Sequence, residues 1–144
     1  MVDTILAPTE AQIAALMALP QDAPLAVLNL FRFNETARYQ PNDPEHGTAA
    51  GNISGREAYA VYAGAAGKAI ESLGGKVVFS ASVMQMMIGP DDANWDTAAI
   101  MYFPTRAAFT SMLSDPDFQA ASRHRKAALA NHRMMHLEGD AFTR

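Results

Sequence analysis

Three stretches of this chain are apolar almost without a break: Leu25–Phe33, Lys76–Ile88 and Trp95–Phe103. A strand with one face in water alternates apolar with polar residues, so runs of this kind read as strands covered on both faces. Turn chemistry brackets each of them. Pro24 precedes the first, Gly89-Pro90 and Asp91-Asp92-Ala93-Asn94 end the second, and Pro104-Thr105 follows the third. Arg133–Glu138 is expected to form a shorter fourth strand.

The segments between the runs carry helix signals. Ser54 and Glu57 have the spacing of a capping box, and Tyr59, Tyr62, Ala63, Ala66, Ile70 and Leu73 follow at three- and four-residue intervals up to Gly74-Gly75. A helix after Thr105 turns Phe109, Met112 and Leu113 inward. Asp115 and Pro116 then start another, with Phe118, Ser122, Arg125 and Leu129 on one stripe until about Asn131. Thr9 caps a short accessory helix carrying Ile13, Leu16 and Met17, which stops at Pro20.

Setting aside the accessory helix at the N-terminus and the one before the last strand, the order is β-α-β-β-α-β. That is the ferredoxin-like α+β arrangement, a four-stranded antiparallel sheet with helices on one face. Nothing in the chain remains to cover the other apolar face, so a second copy of the sheet is expected to do so and the protein to be a homodimer. With 144 residues, the chain makes a single domain (1–144, core about 25–138). Asn34–Ile53 is its one long polar segment, a loop of a length that usually serves as a lid or stays disordered.

Composition removes several function classes. A net charge of -4 disfavours nucleic acid, whose phosphates demand surplus Lys and Arg. The absence of cysteine excludes disulfides, thiolate metal sites and cysteine nucleophiles and fits the cytoplasm. No basic leader is seen over Met1–Pro8, and no apolar run reaches membrane-spanning length. His132 and His136 on a strand stand about 13 Å apart along the chain, too far to share a metal ion. No phosphate-binding glycine loop or serine elbow is present, so no cofactor is expected.

Taken in order, the Tyr59 and Tyr62 pair, Gly74-Gly75, Gly89-Pro90, Phe103-Pro104-Thr105-Arg106 and Asp115-Pro116-Asp117-Phe118-Gln119-Ala120-Ala121 resemble the DUF1330 family over roughly Leu25 to Leu137. The resemblance implies a dimeric α/β barrel. The wider superfamily includes cofactor-independent oxygenases, small-ring isomerases and haem-binding or haem-degrading enzymes. Asn29, Trp95 and His124 are similar to the Asn, Trp and His set of the haem-degrading members, but the last two fall on elements where that set would not place them.

Polar groups within apolar elements are the candidates for chemistry, because burying them without a partner costs ~1–3 kcal/mol. Asn29, between Leu28 and Leu30, either orients a ligand or bonds a neighbouring loop or helix end. Arg32, on the opposite face of that strand, grips a carboxylate or pairs with Glu35 or Glu57. His124 is the side chain suited to proton transfer near neutral pH and is the expected catalytic residue; the plainer reading is a helix-end histidine bonded to a carbonyl or carboxylate. Arg125 lies on the inward stripe beside it. Tyr59 and Tyr62 line a pocket or are ordinary core, and Trp95 stacks on a planar ligand or covers the sheet end. The expected function is binding of a small planar or carboxylate-bearing molecule, with oxygenation or isomerisation as the reaction classes. The alternative is a non-catalytic metabolite-binding or stress-related dimer.

Overall fold

In a computed structural model, residues 6–143 are described. Most of the Met1–Pro8 reading and the two ends of the expected 1–144 domain therefore lie outside the described residues. Eight main elements follow in order: α1 (Glu10–Met17), β1 (Leu25–Phe33), α2 (Gly55–Ser72), β2 (Lys76–Ser82), β3 (Thr97–Phe103), α3 (Arg106–Ser114), α4 (Pro116–Ala128) and β4 (Leu129–Glu138). The strands form one antiparallel sheet in the order β2-β3-β1-β4, which is the ferredoxin-like topology. The helix starts are set locally. Ser54 and Glu57 close a full capping box, Thr105 and Asp115 accept from Ala108 and Phe118 amides, and Pro116 opens α4.

Register sorts β1 into two faces. Leu25, Val27, Asn29 and Phe31 point towards the helices, with Met101 of β3 and His132 of β4 beside them on the same face. One part of the core gathers Leu25, Val27, Ile70, Phe103, Phe109 and Phe118, and the other Phe31, Ala58, Ala99, Ala127 and Leu129. Ala26, Leu28 and Leu30 point the other way, alongside Ile100 of β3, Phe79 of β2 and Met135 of β4. Among the described residues no helix covers that side, and Phe79 and Met135 are 46% and 44% exposed.

Four expected boundaries move. The second strand ends at Ser82 rather than Ile88, and every residue of β2 is exposed rather than covered. Its partner β3 starts at Thr97, opposite Ser82, so beyond Val83 the chain has no neighbour to pair with; Trp95 precedes β3 instead of opening it. At the other end, α4 stops at Ala128 and β4 begins at once with Leu129, because β1 offers partners as far as Phe33. The expected helix through Asn131 and strand from Arg133 were each displaced by that pairing.

The 34–53 segment is laid down on the domain. Ala37 bonds Ile53 and Arg38 bonds Ala127 through their backbones, and Tyr39 and Glu45 are buried.

Candidate functional site

Four of the residues singled out in the sequence meet between sheet and helices, together with one that was set aside. Asn29 projects inward from the middle of β1 and is 2% exposed. Its Oδ1 lies 2.9 Å from His132 Nε2, and His132 Nδ1 lies 3.1 Å from Nη1 of Arg125 on α4. A guanidinium only donates, so Nδ1 accepts and the imidazole proton sits on Nε2, donated to Asn29 Oδ1. The Asn29 amide then directs Nδ2 to Met101 Sδ at 3.1 Å and more weakly to Val27 O. The relay thus has one direction, set by the arginine.

Aromatic rings wall this relay. Phe31 packs on His132 and on Tyr59 at centroid distances of 4.7 and 4.8 Å, Tyr59 on Tyr62 at 5.6 Å, and Tyr62 on Phe118 at 5.9 Å. Burial raises the pKa of both tyrosines, so each keeps its phenolic proton at physiological pH. Arg125 acts on His132, Tyr59 and Tyr62 alike, and Tyr59 feels the neighbouring Tyr62 phenol as well. No carboxylate lies at ion-pair distance from Arg125 among the described residues. A half-buried cation with a neutral imidazole for its partner is an uncompensated charge, and such a charge is stabilised by an incoming anion.

Burial, helped by Arg125, lowers the His132 pKa to about 3. The unfolded chain takes up a proton below about pH 6.5, where folded His132 stays neutral, so stability is level above that value and falls as the pH drops towards 3, by up to ~1.4 kcal/mol per pH unit for this group. His124 and His136 are also lowered, chiefly by burial, and act in the same sense. Denaturant titrations from pH 7.5 to 4 should show this slope, and histidine NMR should find the His132 ring untitrated at pH 4.5. A ring titrating near 6.5 would contradict the geometry.

The other candidates lie elsewhere. His124 takes the Tyr39 hydroxyl at 2.7 Å on Nδ1, with Nε2 3.9 Å from Glu45, whose carboxylate is held by Arg123 at 2.5 Å. This group pins the 34–53 segment to α4, and His124 makes no hydrogen bond to Asn29 or Arg32. Arg32 projects from the opposite face of β1 and donates to Ala93 O at 3.4 Å. With Trp95, Arg56 and Asp96 it lines an open cleft of about 640 Å³ at the end of the sheet, where Glu35 and Asp91 also contribute negative charge. Arg133 stacks over the Trp95 ring at 5.4 Å. Among the described residues no cluster of three metal-ligating side chains occurs, and no helix is long and apolar enough to cross a membrane.

His132 is the residue that sequence reasoning passed over. It was weighed only as a metal ligand with His136. Extending the strand back to Leu129 places His132 opposite Phe31, on the face of Asn29. The partners of His124 carried no sequence signal, since Tyr39 and Glu45 lie in a segment without periodicity.

Among solved structures, the RPA0582 protein of unknown function from Rhodopseudomonas palustris is 36% identical, over 94% of this chain and 96% of that one, with a TM-score of 0.81. The methylated RPA0582 protein aligns at 35% identity over 95% and 96%, with a TM-score of 0.83. A dimeric protein of unknown function with a ferredoxin-like fold from Bacteroides fragilis NCTC 9343 aligns far more loosely, at 14% identity over 83% of this chain and 99% of that one, with a TM-score of 0.40. No curated protein matches this chain. The model of the family described as a domain of unknown function, DUF1330, matches residues 48–140. The match begins later than the Leu25 expected from the sequence; it takes in Tyr59, Tyr62, Arg125 and His132 and leaves Asn29 and Arg32 outside. A match over well more than half the residues makes this chain a member of the DUF1330 family.

Proposed function

We propose that this protein binds a small planar molecule bearing a carboxylate, held by Arg125 and flanked by Tyr59 and Tyr62. The observation that carries this reading is the uncompensated Arg125 guanidinium, half-buried among aromatic rings with a neutral histidine behind it. Its planar fork suits a carboxylate, and the rings suit a flat apolar body. Asn29 and His132 serve as positioning residues: their hydrogen bonds fix the guanidinium from the sheet side. His132 stands on β4, an edge strand, so the cluster lies beside the rim of the sheet rather than under its centre.

Isomerisation or cofactor-independent oxygenation is the second reading, favoured by the two protonated phenols near Arg125, which can donate to an enolate oxygen. His124 would be its proton carrier only for a ligand that reaches the Tyr39 and Glu45 side of α4. Binding without turnover needs no such reach and is the better supported of the two.

The protein is further proposed to act as a homodimer, paired through the open sheet face. Leu28, Leu30, Ile100, Phe79 and Met135 give that face an apolar stretch, with Lys76, Arg32 and Arg133 projecting from the same side around it.

Calorimetric titration with a panel of aromatic and aliphatic carboxylates, each matched by its amide, tests the site. Saturable binding of acids and loss of binding for the amides is the expected result; a panel that never binds at millimolar concentration would overturn it. Mass spectrometry of the incubated acids then separates turnover from storage.

A further inference from the structure

Arg32 and Glu35 stand three residues apart where β1 runs out, so their Cα atoms are within about 10 Å of each other, and both line the open cleft at the end of the sheet. Both are exposed, as is Asp91, which lines the same cleft. The guanidinium of Arg32 is a fork of N–H donors that commits one of them, weakly, to Ala93 O at 3.4 Å. Among the described residues, no cation lies at ion-pair distance from Glu35 or Asp91, and no carboxylate from Arg32.

The other charges nearby are already engaged. Asp96 accepts the Phe33 amide at 2.8 Å and lies 3.7 Å from Arg56, whose guanidinium sits 4.8 Å over the Phe33 ring. Arg133 is stacked on Trp95, itself 9% exposed. Arg32, Arg56 and Arg133 thus balance Glu35, Asp91 and Asp96, and the charges of both signs left without a partner share one cleft of about 640 Å³, a volume that fits a small metabolite. Asn94 adopts a left-handed backbone, φ 50°, which asparagine tolerates better than most residues, in the turn that brings Asp91 and Trp95 to that cleft. Met84 and Met86, 90% and 38% exposed, give it a pliable apolar side.

We propose that this cleft is a second binding site and that it takes a free α-amino acid with an uncharged side chain. The carboxylate of the amino acid meets the Arg32 fork, its ammonium group meets Glu35 and Asp91, and its side chain rests on Met84 and Met86. A simple acid or amine satisfies one sign and is repelled by the other, whereas an α-amino acid carries both on one carbon. The balance of three arginines against three carboxylates leaves no surplus for a charged side chain to match. The site is separate from the Arg125 cluster, which lies on the helix side of the sheet, and does not depend on it.

Trp95 is the only tryptophan of the chain, so its fluorescence reports on this cleft. Titration of the full chain with L-leucine should give a saturable change. N-acetyl-L-leucine lacks the ammonium charge and L-leucinamide the carboxylate charge, and each should bind about tenfold or more weakly. Arg32→Met and the double variant Glu35→Gln, Asp91→Asn should weaken leucine by a similar factor with circular dichroism unchanged, because all three side chains are exposed, while Arg125→Met should leave it within about twofold. No saturable change with leucine at concentrations on the order of tens of millimolar would overturn the site. So would derivatives, L-lysine or L-glutamate that bind as tightly as leucine. A response kept in Arg32→Met and lost in Arg125→Met would overturn it too, by moving leucine to the carboxylate site.

Discussion

Arg125→Met is expected to abolish carboxylate binding, with a loss of about 30-fold or more, and to leave the folded protein within ~1.5 kcal/mol of the wild type. The affinity estimate follows from the ~2–5 kcal/mol lost when one partner of a buried charge pair is truncated. Two effects oppose each other in stability. His132 Nδ1 loses its donor, which costs ~1–3 kcal/mol, while an uncompensated half-buried cation is replaced by an apolar side chain of similar length. The variant also removes the charge that holds the imidazole down, so the His132 pKa should rise and the acid-side slope in stability become shallower. Arg125→Lys keeps the charge without the fork and should recover only part of the affinity. Arg32→Met is the control: it should leave affinity within about twofold, and if it were the damaging substitution the carboxylate would belong in the open cleft.

Gly55→Ala should be among the most destabilising single substitutions in the chain, by ~2–3 kcal/mol, which lowers the melting temperature on the order of 10 °C. Helix propensity alone gives the opposite sign, since alanine is favoured over glycine by ~1 kcal/mol within a helix. Space decides the matter. Gly55 opens α2 where the end of β1 and the end of α4 cross, and a Cβ there would run into Asn34 O and lie 2.7 Å from Ala128 O. Both are backbone atoms already engaged: Asn34 O accepts from Gly55 at 3.1 Å, and Ala128 O from Asn34 at 2.7 Å. Relief requires α2 to move away from α4, and these helices carry Tyr59 with Tyr62 and Arg125 respectively. Differential scanning calorimetry together with the carboxylate titration should therefore show stability and affinity falling together. A melting temperature at or above that of the wild type would mean that the three elements are not locked at this point.

What could be read from the sequence was what neighbours in the sequence settle. The capping box of Ser54 and Glu57, the Thr105 and Asp115 caps and the left-handed exit at Gly74 involve hydrogen bonds or dihedrals within a few residues, so residue identity specifies them. Two-sided apolar patterning pointed to strands needing cover on both sides; among the described residues the helices cover one face of β1 and β3, and every residue of β2 is exposed. The length of β2 was a different matter, because Val83–Ile88 has strand composition and lacks only a partner, which pairing with β3 decides. Composition cannot report a missing neighbour.

The site divides along the same line. Tyr59, Tyr62 and Arg125 were placed inward by helical spacing, and Asn29 stood out as polar within an apolar strand; each of those inferences is local. That Asn29 meets His132 across 103 residues of sequence, and that His124 turns instead to Tyr39 and Glu45, depends on cross-strand register and on where an aperiodic segment comes to rest. One residue of slip in β4 would turn His132 to the open face, since side chains alternate along a strand. The residue types were thus legible in the chain, while their meeting was fixed by non-local pairing, whose free energy belongs to the assembled sheet and to no single stretch of sequence.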